Sequence, residues 1–406
     1  MPAKPVSFCI VNFNGEDVLA ATLTAVRETV RERGARASGE AGADAAESGT
    51  TLAGDDVILV DDASNDRSVE IVERGFPFVH VVRQTARAGP AAARNIAWRL
   101  AAHDTVLFLD NDLSLASGCV DALAAALDAN PRAVAAMPCV VRADAPDTVQ
   151  YDGAGAHVLG LMTLDNAEQP LAQIGDATRE IGSIVSCCMM VDRRRFDALG
   201  FAEPRTGAGA RAESLAPRAP RAAVAALNTA DPFDAAFGIY LEDHDFGLRV
   251  RLAGSALLAV PRARAMHGRG TRGLSLRRSG VYARARVVAL MRNRWRVLLR
   301  NYALRTLIVL APALAVFELA QLAGALARGW LGAWWQALGE CVRSLPAIAR
   351  DRGAIQRARR VPDRALLACA ASPFARGLAR HAPERLAQSL VEAFIRAFWS
   401  VVQKLL

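Results

Sequence analysis

The chain has 406 residues, a formal net charge of +8 and 52% hydrophobic residues. That is enough for one catalytic domain of ordinary size plus an extension, and the positive mean hydropathy points to some contact with a membrane. Twelve arginines and no acidic residue lie between Pro261 and Arg300, a partner surface for phosphate or anionic lipid. Only Tyr282 and Trp295 are interleaved with that charge, which argues against nucleic acid as the partner. Seven cysteines, with Cys187-Cys188 adjacent and no C-x-x-C, make neither a zinc pattern nor a disulfide framework and fit a reducing compartment. Asn12 and Asn14 interrupt the first apolar run, so no secretory leader is read there and the catalytic part is expected in the cytoplasm.

The apolar run Val6 to Val11 ends at Asn12-Phe13-Asn14-Gly15, and an amphipathic pattern follows to about Val30. This predicts the strand, turn and helix that open a nucleotide-binding sheet. Residues 34–54 lack periodicity and read as an inserted loop. Val57 to Val60 predicts a second strand closing on Asp61-Asp62-Ala63-Ser64-Asn65-Asp66, in which Ser64 or Asp66 suits a helix cap and Asp61-Asp62 are left over. Carboxylates at that strand end suit a pyrimidine N3–H or a ribose hydroxyl. A third strand is predicted over Phe78 to Val82, and a helix starting at Gly89-Pro90 carries Arg94.

Thr105 to Leu113, TVLFLDNDL, predicts a buried strand that delivers Asp110 and Asp112 to the open edge of a sheet. α/β sheets bind ligands at that edge. Two carboxylates flanking one residue suit a hard divalent cation, which in turn holds diphosphate oxygens. Strands alternating with helices over these first residues argue for a mostly parallel sheet. Beyond them, Ala133 to Met137, Ser183 to Val191 and Ala256 to Val260 read as strands, and residues 205–230 read as a second, low-complexity insertion. Tyr240 to Phe246, YLEDHDF, leads into an amphipathic helix, where a carboxylate facing the sheet edge is a candidate general base. His267 precedes a G-x-G-x-x-G match at 268–273. No acidic residue follows before Glu318, so the dinucleotide fingerprint is rejected in favour of a loop closing over a diphosphate.

Taken in order, VNFNG, LVDDASND, GPAAARN, FLDND, GSIVSCCMMVDRRRFDALG, YLEDHDFGLRVRLAG and His267 resemble the inverting glycosyltransferases of family 2, within them the bacterial rhamnosyltransferase and galactofuranosyltransferase types. The resemblance covers about residues 5 to 300. It implies the α/β GT-A fold, a domain over 1–300 and a helical extension over 301–406. It also implies a donor site of Asn12, Asn14, Asp61, Asp62, Arg94 and Asp110, a Mg²⁺ or Mn²⁺ ion held by Asp110, Asp112 and His267, Asp243 as catalytic base, and Glu242 for the acceptor. The donor would be a UDP- or dTDP-sugar and the acceptor a saccharide or polyprenyl-diphosphate-linked glycan, in cell-surface polysaccharide or glycolipid synthesis. Both insertions are longer than the family usually carries. Met291 stands where the Gln-x-x-Arg-Trp box of processive synthases has glutamine, which favours transfer of one or a few sugars. A sugar-nucleotide pyrophosphorylase is the competing enzyme; it lacks support because the first turn is Asn12-Phe13-Asn14-Gly15 and not a glycine-rich basic loop. An inactive membrane scaffold is disfavoured because every expected polar position is filled.

Thr306 to Ala327 is nearly unbroken apolar sequence between Arg305 and Arg328, interrupted by Pro312, Glu318 and Gln321, with Trp330, Trp334 and Trp335 just beyond. Leu390, Phe394, Phe398 and Val402 recur at helical spacing near the end. These helices either lie on the cytoplasmic leaflet of the inner membrane, with the arginine block facing anionic lipid, or pack on one another or on a second subunit in a homo-oligomer.

Overall fold

The computed structural model describes residues 4–38, 51–52, 54–201, 212–214, 231–268, 283–369, 372, 374 and 381–406. The chain begins with β1 (Val6–Asn12), α1 (Leu19–Ser38), β2 (Thr51–Leu52), β3 (Asp55–Asp61), α2 (Ser68–Gly75), β4 (Val79–Gln84), α3 (Pro90–Leu100) and β5 (Thr105–Asp110). It continues through β6 (Leu113–Leu115), α4 (Cys119–Ala129), β7 (Ala133–Arg142), β8 (Ala145–Tyr151), β9 (Ala154–His157), β10 (Leu161–Leu164), β11 (Arg179–Glu180), β12 (Cys188–Asp192), α5 (Arg193–Asp197) and β13 (Ala212–Ser214). The last part holds α6 (Glu242–Leu252), β14 (Ala256–His267), α7 (Arg284–Asn301), α8 (Leu304–Ala327), α9 (Leu331–Arg357) and α10 (Ala382–Val402).

The main sheet has the order β11-β14-β7-β12-β5-β1-β3-β4-β13. β4, β3, β1, β5, β7 and β14 run the same way, and β12 runs against its neighbours β5 and β7. This is a mixed, mostly parallel α/β sheet. Every residue of β1 is buried, as expected for a parallel strand covered on both faces. β1 has β3 on one side and β5 on the other, so the chain reverses its order of strand addition there, and a crevice opens at the carboxyl ends. Register then decides what lines the crevice: Asn12 lies beside Asp61, and Val11 beside Asp110. On the far side β14 pairs with the short β6, which puts His267 opposite Leu113, one residue after Asp112.

Several expected boundaries move. α1 continues to Ser38, past the expected loop start at 34. Residues 39–50 and 53 of the first insertion, and 205–211 and 215–230 of the second, lie outside the described residues, whereas 212–214 form β13 against β4. The predicted strand Ser183 to Val191 is a strand only from Cys188, preceded by one bond to β5 in which the Asp110 N–H donates to the Cys187 carbonyl at 2.9 Å. β14 runs on from Val260 to His267 through a register shift around Pro261, where a missing N–H is tolerated. All seven cysteines are free and buried.

The arginine block is not one outward surface. Arg294 is buried against Glu318, Arg296 and Arg300 are buried against Asp234, and Arg300 also lies 3.3 Å from Asp245. Arg292, partly buried, bonds Glu340 at 3.0 Å. Arg292, Arg296 and Arg300 recur every fourth residue, so one face of α7 carries them inward to meet acidic partners. Arg269, Arg272, Arg277 and Arg278 lie outside the described residues.

A second hydrophobic cluster joins Leu248 and Leu252 of α6 to Val297 and Leu298 of α7, Phe317 of α8 and Trp399 of α10. The C-terminal helices therefore share a core with the helix that carries the acidic pair. Even so, only 22% of the apolar stretch of α8 is buried inside the protein. Leu304, Ile308, Leu319 and Leu326 face outward from it, as do Trp335 and Val342 from α9, and Leu386 and Leu390 from α10.

Trp98 fixes α3 to the sheet. It is fully buried, stacks on Phe108 at 6.1 Å, meets Phe196 edge-on at 5.8 Å and has the Arg193 guanidinium 4.6 Å above its ring. Trp98→Ala is expected to lower the unfolding free energy by about 3–5 kcal/mol, read from the urea midpoint at unchanged slope.

Candidate active site

Three turns meet at the crevice. At the end of β1 the Asn12 amide donates to Asp61 Oδ1 at 2.8 Å and to Ser64 Oγ at 3.2 Å, and its Oδ1 accepts from Asn111 Nδ2 at 2.7 Å. Asn14 Oδ1 accepts from the Asn65 N–H at 3.0 Å. A Cβ at Gly15 would sit 2.3 Å from both Asn111 Nδ2 and Asn12 Oδ1, so only glycine lets the β1 and β5 turns close. The Asp62 carboxylate takes the N–H groups of Ala88 and Gly89 at 2.7 and 2.9 Å and the Gln84 amide at 2.8 Å, which pins the turn that starts α3. Burial raises the pKa of Asp62, and those two N–H groups pull it back down. Asn12, Asn14, Asp61 and Asp62 thus hold the turns together. Asn12, Asp61 and Asp62 are at most 3% exposed.

Arg94, from α3, is the centre of the site. It is 3% exposed, donates from Nη2 to Asp110 Oδ1 at 2.7 Å and from Nη1 to Glu242 Oε1 at 2.9 Å, and lies 5.6 Å above the Phe233 ring. Burial disfavours its charge, but Asp110, Glu242 and Asp243 outweigh burial and hold its pKa above the ordinary guanidinium value. Arg94, expected beside the nucleotide, here joins two carboxylates.

Of the three expected metal ligands, two come together. Asp112 Oδ1 lies 3.1 Å from His267 Nε2, while Asp110 turns its Oδ1 to Arg94. Among the described residues no group of three or more His, Cys, Asp or Glu side chains is gathered as a metal cage. Gln150 Oε1 faces His267 Nδ1 at 3.2 Å. The His267 ring thus sits between the Asp112 carboxylate and the Gln150 amide, which orient it. A carboxylate beside an imidazole suits Mn²⁺ or Mg²⁺ whose other ligands are phosphate oxygens and water. The donor pair therefore fits the expected ion. Gly268 seals this corner: its N–H donates to the Asp112 carbonyl at 2.7 Å, and a Cβ there would fall 2.9 Å from Asp112 Oδ2. The rest of the expected loop, 269–273, lies outside the described residues.

Glu242 and Asp243 open α6, where carboxylates are favoured by the helix N-terminus. Asp243 accepts from the N–H groups of Ser186 at 3.2 Å and His244 at 2.8 Å. Burial raises its pKa, and Arg94 and those N–H groups lower it, with a net rise. Glu242 is pushed up to about 7, first by burial and then by Asp243, against the pull of Arg94. Its Oε2 is buried with no hydrogen-bond partner among the described residues. Behind the pair, Asp245 is held ionised, its pKa lowered by Arg300 and Arg249 against the effect of burial, and His244, buried and bonded to Ser183 Oγ at 2.8 Å, is pushed down to about 4 by that burial. Gly15, Asn111, Gln150, Ser186 and Gly268 were not singled out from sequence as site residues. Gly15, Asn111 and Ser186 lie inside the quoted motifs and Gly268 follows His267, whereas nothing in the sequence marked Gln150.

Residues 7–197 match the family model described as Glycosyl transferase family 2; the acidic pair, His267 and the C-terminal helices lie outside the match. No curated protein matches the chain. Among solved structures the chain is similar to GalNAc-T7 with UDP, GalNAc and Mn²⁺, at 15% identity over 85% of this chain and 57% of that one, with a TM-score of 0.49. It thus covers less than two thirds of that relative. It is also similar to TarS 1–349 of S. aureus in complex with UDP-GlcNAc, at 14% identity over 98% and 91% of the two chains and a TM-score of 0.45. The mannosyltransferase PcManGT from Pyrobaculum calidifontis, in complex with GDP-Man and Mn²⁺, matches at 16% identity over 99% and 87%, with a TM-score of 0.44.

The raised pKa of Glu242 has a stability consequence. A carboxyl whose folded pKa lies above its unfolded value stabilises the fold fully below the unfolded value, and the contribution is lost as pH rises through the folded one. Glu242→Gln is therefore expected to melt a few degrees above wild type at pH 8, with the gap closing by pH 5, in calorimetry at constant salt.

Proposed function

We propose that this protein is an inverting, metal-dependent glycosyltransferase that moves one sugar at a time from a UDP- or dTDP-sugar to a saccharide or polyprenyl-diphosphate-linked acceptor. One observation carries the reading: a single buried guanidinium, Arg94, ties the strand-end carboxylate Asp110 to the Glu242–Asp243 pair, next to the Asp112–His267 pair. The family match over 7–197 supports it. It weighs against the pyrophosphorylase alternative, and the filled polar site weighs against the inactive scaffold.

In this mechanism the diphosphate of the donor seats at the carboxyl ends of β1, β3 and β5, against turns that Asn12, Asn14, Asp61 and Asp62 hold rigid. Asp112 and His267 would hold Mg²⁺ or Mn²⁺, which supplies positive charge to the diphosphate as it leaves. Asp243 takes the proton of the acceptor hydroxyl while that oxygen bonds the anomeric carbon and the carbon–diphosphate bond breaks on the opposite face. One displacement needs one base, and burial makes Asp243 a stronger base than an exposed aspartate. Glu242 Oε2 accepts a hydrogen bond from the acceptor. Products are the glycoside, with inverted configuration, and the nucleoside diphosphate. The absence of glutamine at Met291 supports non-processive transfer. Rhamnosyl or galactofuranosyl transfer is the donor class to screen first.

Asp243→Asn is expected to lower turnover by roughly 10²–10⁴-fold while leaving affinity for UDP or dTDP in the presence of Mn²⁺ unchanged. The check is nucleoside diphosphate release from a panel of UDP- and dTDP-sugars, and near-wild-type rates in the variant would remove Asp243 as base. Chelation with EDTA is expected to abolish release, and Mn²⁺ or Mg²⁺ to restore it.

The outward apolar stripes of α8, α9 and α10 support a peripheral seat at the cytoplasmic face of the inner membrane, with Trp335 at the interface. Flotation with vesicles containing anionic lipid is expected to carry the protein, and Ile308→Asp with Leu319→Asp to leave it at the bottom of the gradient. A homo-oligomer buried through the same stripes would instead remain at the bottom in wild type and lose mass in the double variant.

A further inference from the structure

The turn that delivers the acidic pair is held in an unfavourable backbone conformation from outside the sheet. Gly238, Tyr240 and Leu241 all have positive φ, at 66°, 70° and 65°, and Leu241 is the residue that caps α6, without a side-chain capping bond. Two consecutive non-glycine residues in the left-handed region do not persist unless their surroundings impose it. What imposes it is one amide. Asn293, in the middle of α7 and fully buried, donates from Nδ2 to the carbonyls of Phe237 at 2.9 Å, Ile239 at 2.9 Å and Tyr240 at 2.7 Å. Its Oδ1 accepts from Arg292 Nε at 2.8 Å, which orients the amide with its nitrogen toward the turn, and Arg292 Nη2 adds a second donor to Phe237 O at 2.7 Å. Three carbonyls brought to one point repel one another unless donors lie between them. Asparagine is also a poor helix former, so its presence inside α7 is explained by the turn and not by the helix.

Resting on the transferase reading, we infer that Asn293 is a positioning residue: it forces the Tyr240–Leu241 reversal that starts α6 with Glu242 on Arg94 and Asp243 on the Ser186 N–H. Without its two N–H donors the turn relaxes, and the acidic pair moves off the strand edge while the donor side, built from β1, β3 and β5, is untouched. Asn293 does not contact the reacting atoms.

The test compares the full-length wild type with Asn293→Ala and Asn293→Asp. Aspartate keeps the volume but removes both donors and sets a carboxylate against three carbonyls, so it separates hydrogen bonding from packing, and the alanine variant carries the test if the aspartate variant fails to fold. Amide hydrogen exchange is expected to accelerate across 238–245 in both variants and to stay at wild-type rates in β1, β3 and β5. With the UDP- or dTDP-sugar that the wild type turns over, kcat is expected to fall on the order of 10²-fold with the donor KM unchanged. Unchanged exchange across 238–245 overturns the inference, as does a fall in kcat matched by loss of donor binding. If the wild type turns over no sugar nucleotide, the transferase reading fails on that result alone, and the exchange measurement still decides whether Asn293 holds the turn.

Discussion

Arg94 and its two carboxylates are the constraint from which the rest of the site follows. Asp110 ends the β5 strand and Glu242 starts α6, 148 residues after Arg94 in the chain. All three would be costly to bury alone, and each is tolerable only with the others present. Deleting the guanidinium would leave buried carboxylates uncompensated, a loss of roughly 3–5 kcal/mol for an interior ion pair. The Arg94 Nε lacks a partner among the described residues, as does Glu242 Oε2. The triad is therefore bound tightly enough to fix position and yet is incompletely satisfied among the described residues. Binding sites commonly depart from full internal satisfaction in this way.

α7 extends the same logic outward. Its Arg300 reaches Asp234 at 2.7 Å, and its Asn301 reaches Asp245 at 2.8 Å, both directly behind the acidic pair. The second hydrophobic cluster then joins α6 to the helices that follow. The helices after residue 301 are thus continuous with the helix that carries the acidic pair, in packing as well as in sequence. Their outward stripes and their inward ion pairs are two faces of the same elements, and the composition alone could not separate them.

Much of the sheet was legible because parallel strands buried on both faces read as uninterrupted apolar runs, as Val6 to Val11 and Val106 to Leu109 do. The polar residues ending those runs come together at the carboxyl ends of the strands, because register sets Asn12 beside Asp61. What they do there was not legible. A carboxylate at a strand end looks the same in sequence whether it faces a ligand or, like Asp62, accepts the N–H groups of the next turn. The inward arginines of α7 failed for a related reason: a charge every fourth residue describes a solvated face until a partner such as Asp234, brought from 62 residues away, is known. The extension of β14 past Pro261 was hidden because proline and arginine break the apolar run, while a local shift in pairing absorbs both. The strained reversal at Tyr240–Leu241 had no signature at all, since neither residue type announces a positive φ.

The placement of β14 has a consequence for how the molecule comes into being. During synthesis, β1, β3, β4 and β5 emerge first and pair through local parallel crossovers, so the nucleotide edge can condense while most of the polypeptide is still unmade. The histidine corner and the acidic pair cannot join it until β14 has threaded beside β7, and the reversal that aims the pair must wait for α7. A nascent chain released before residue 284 would therefore carry the first strands paired but the Tyr240–Leu241 reversal without Asn293 behind it, so the two sides of the strand edge are joined only late.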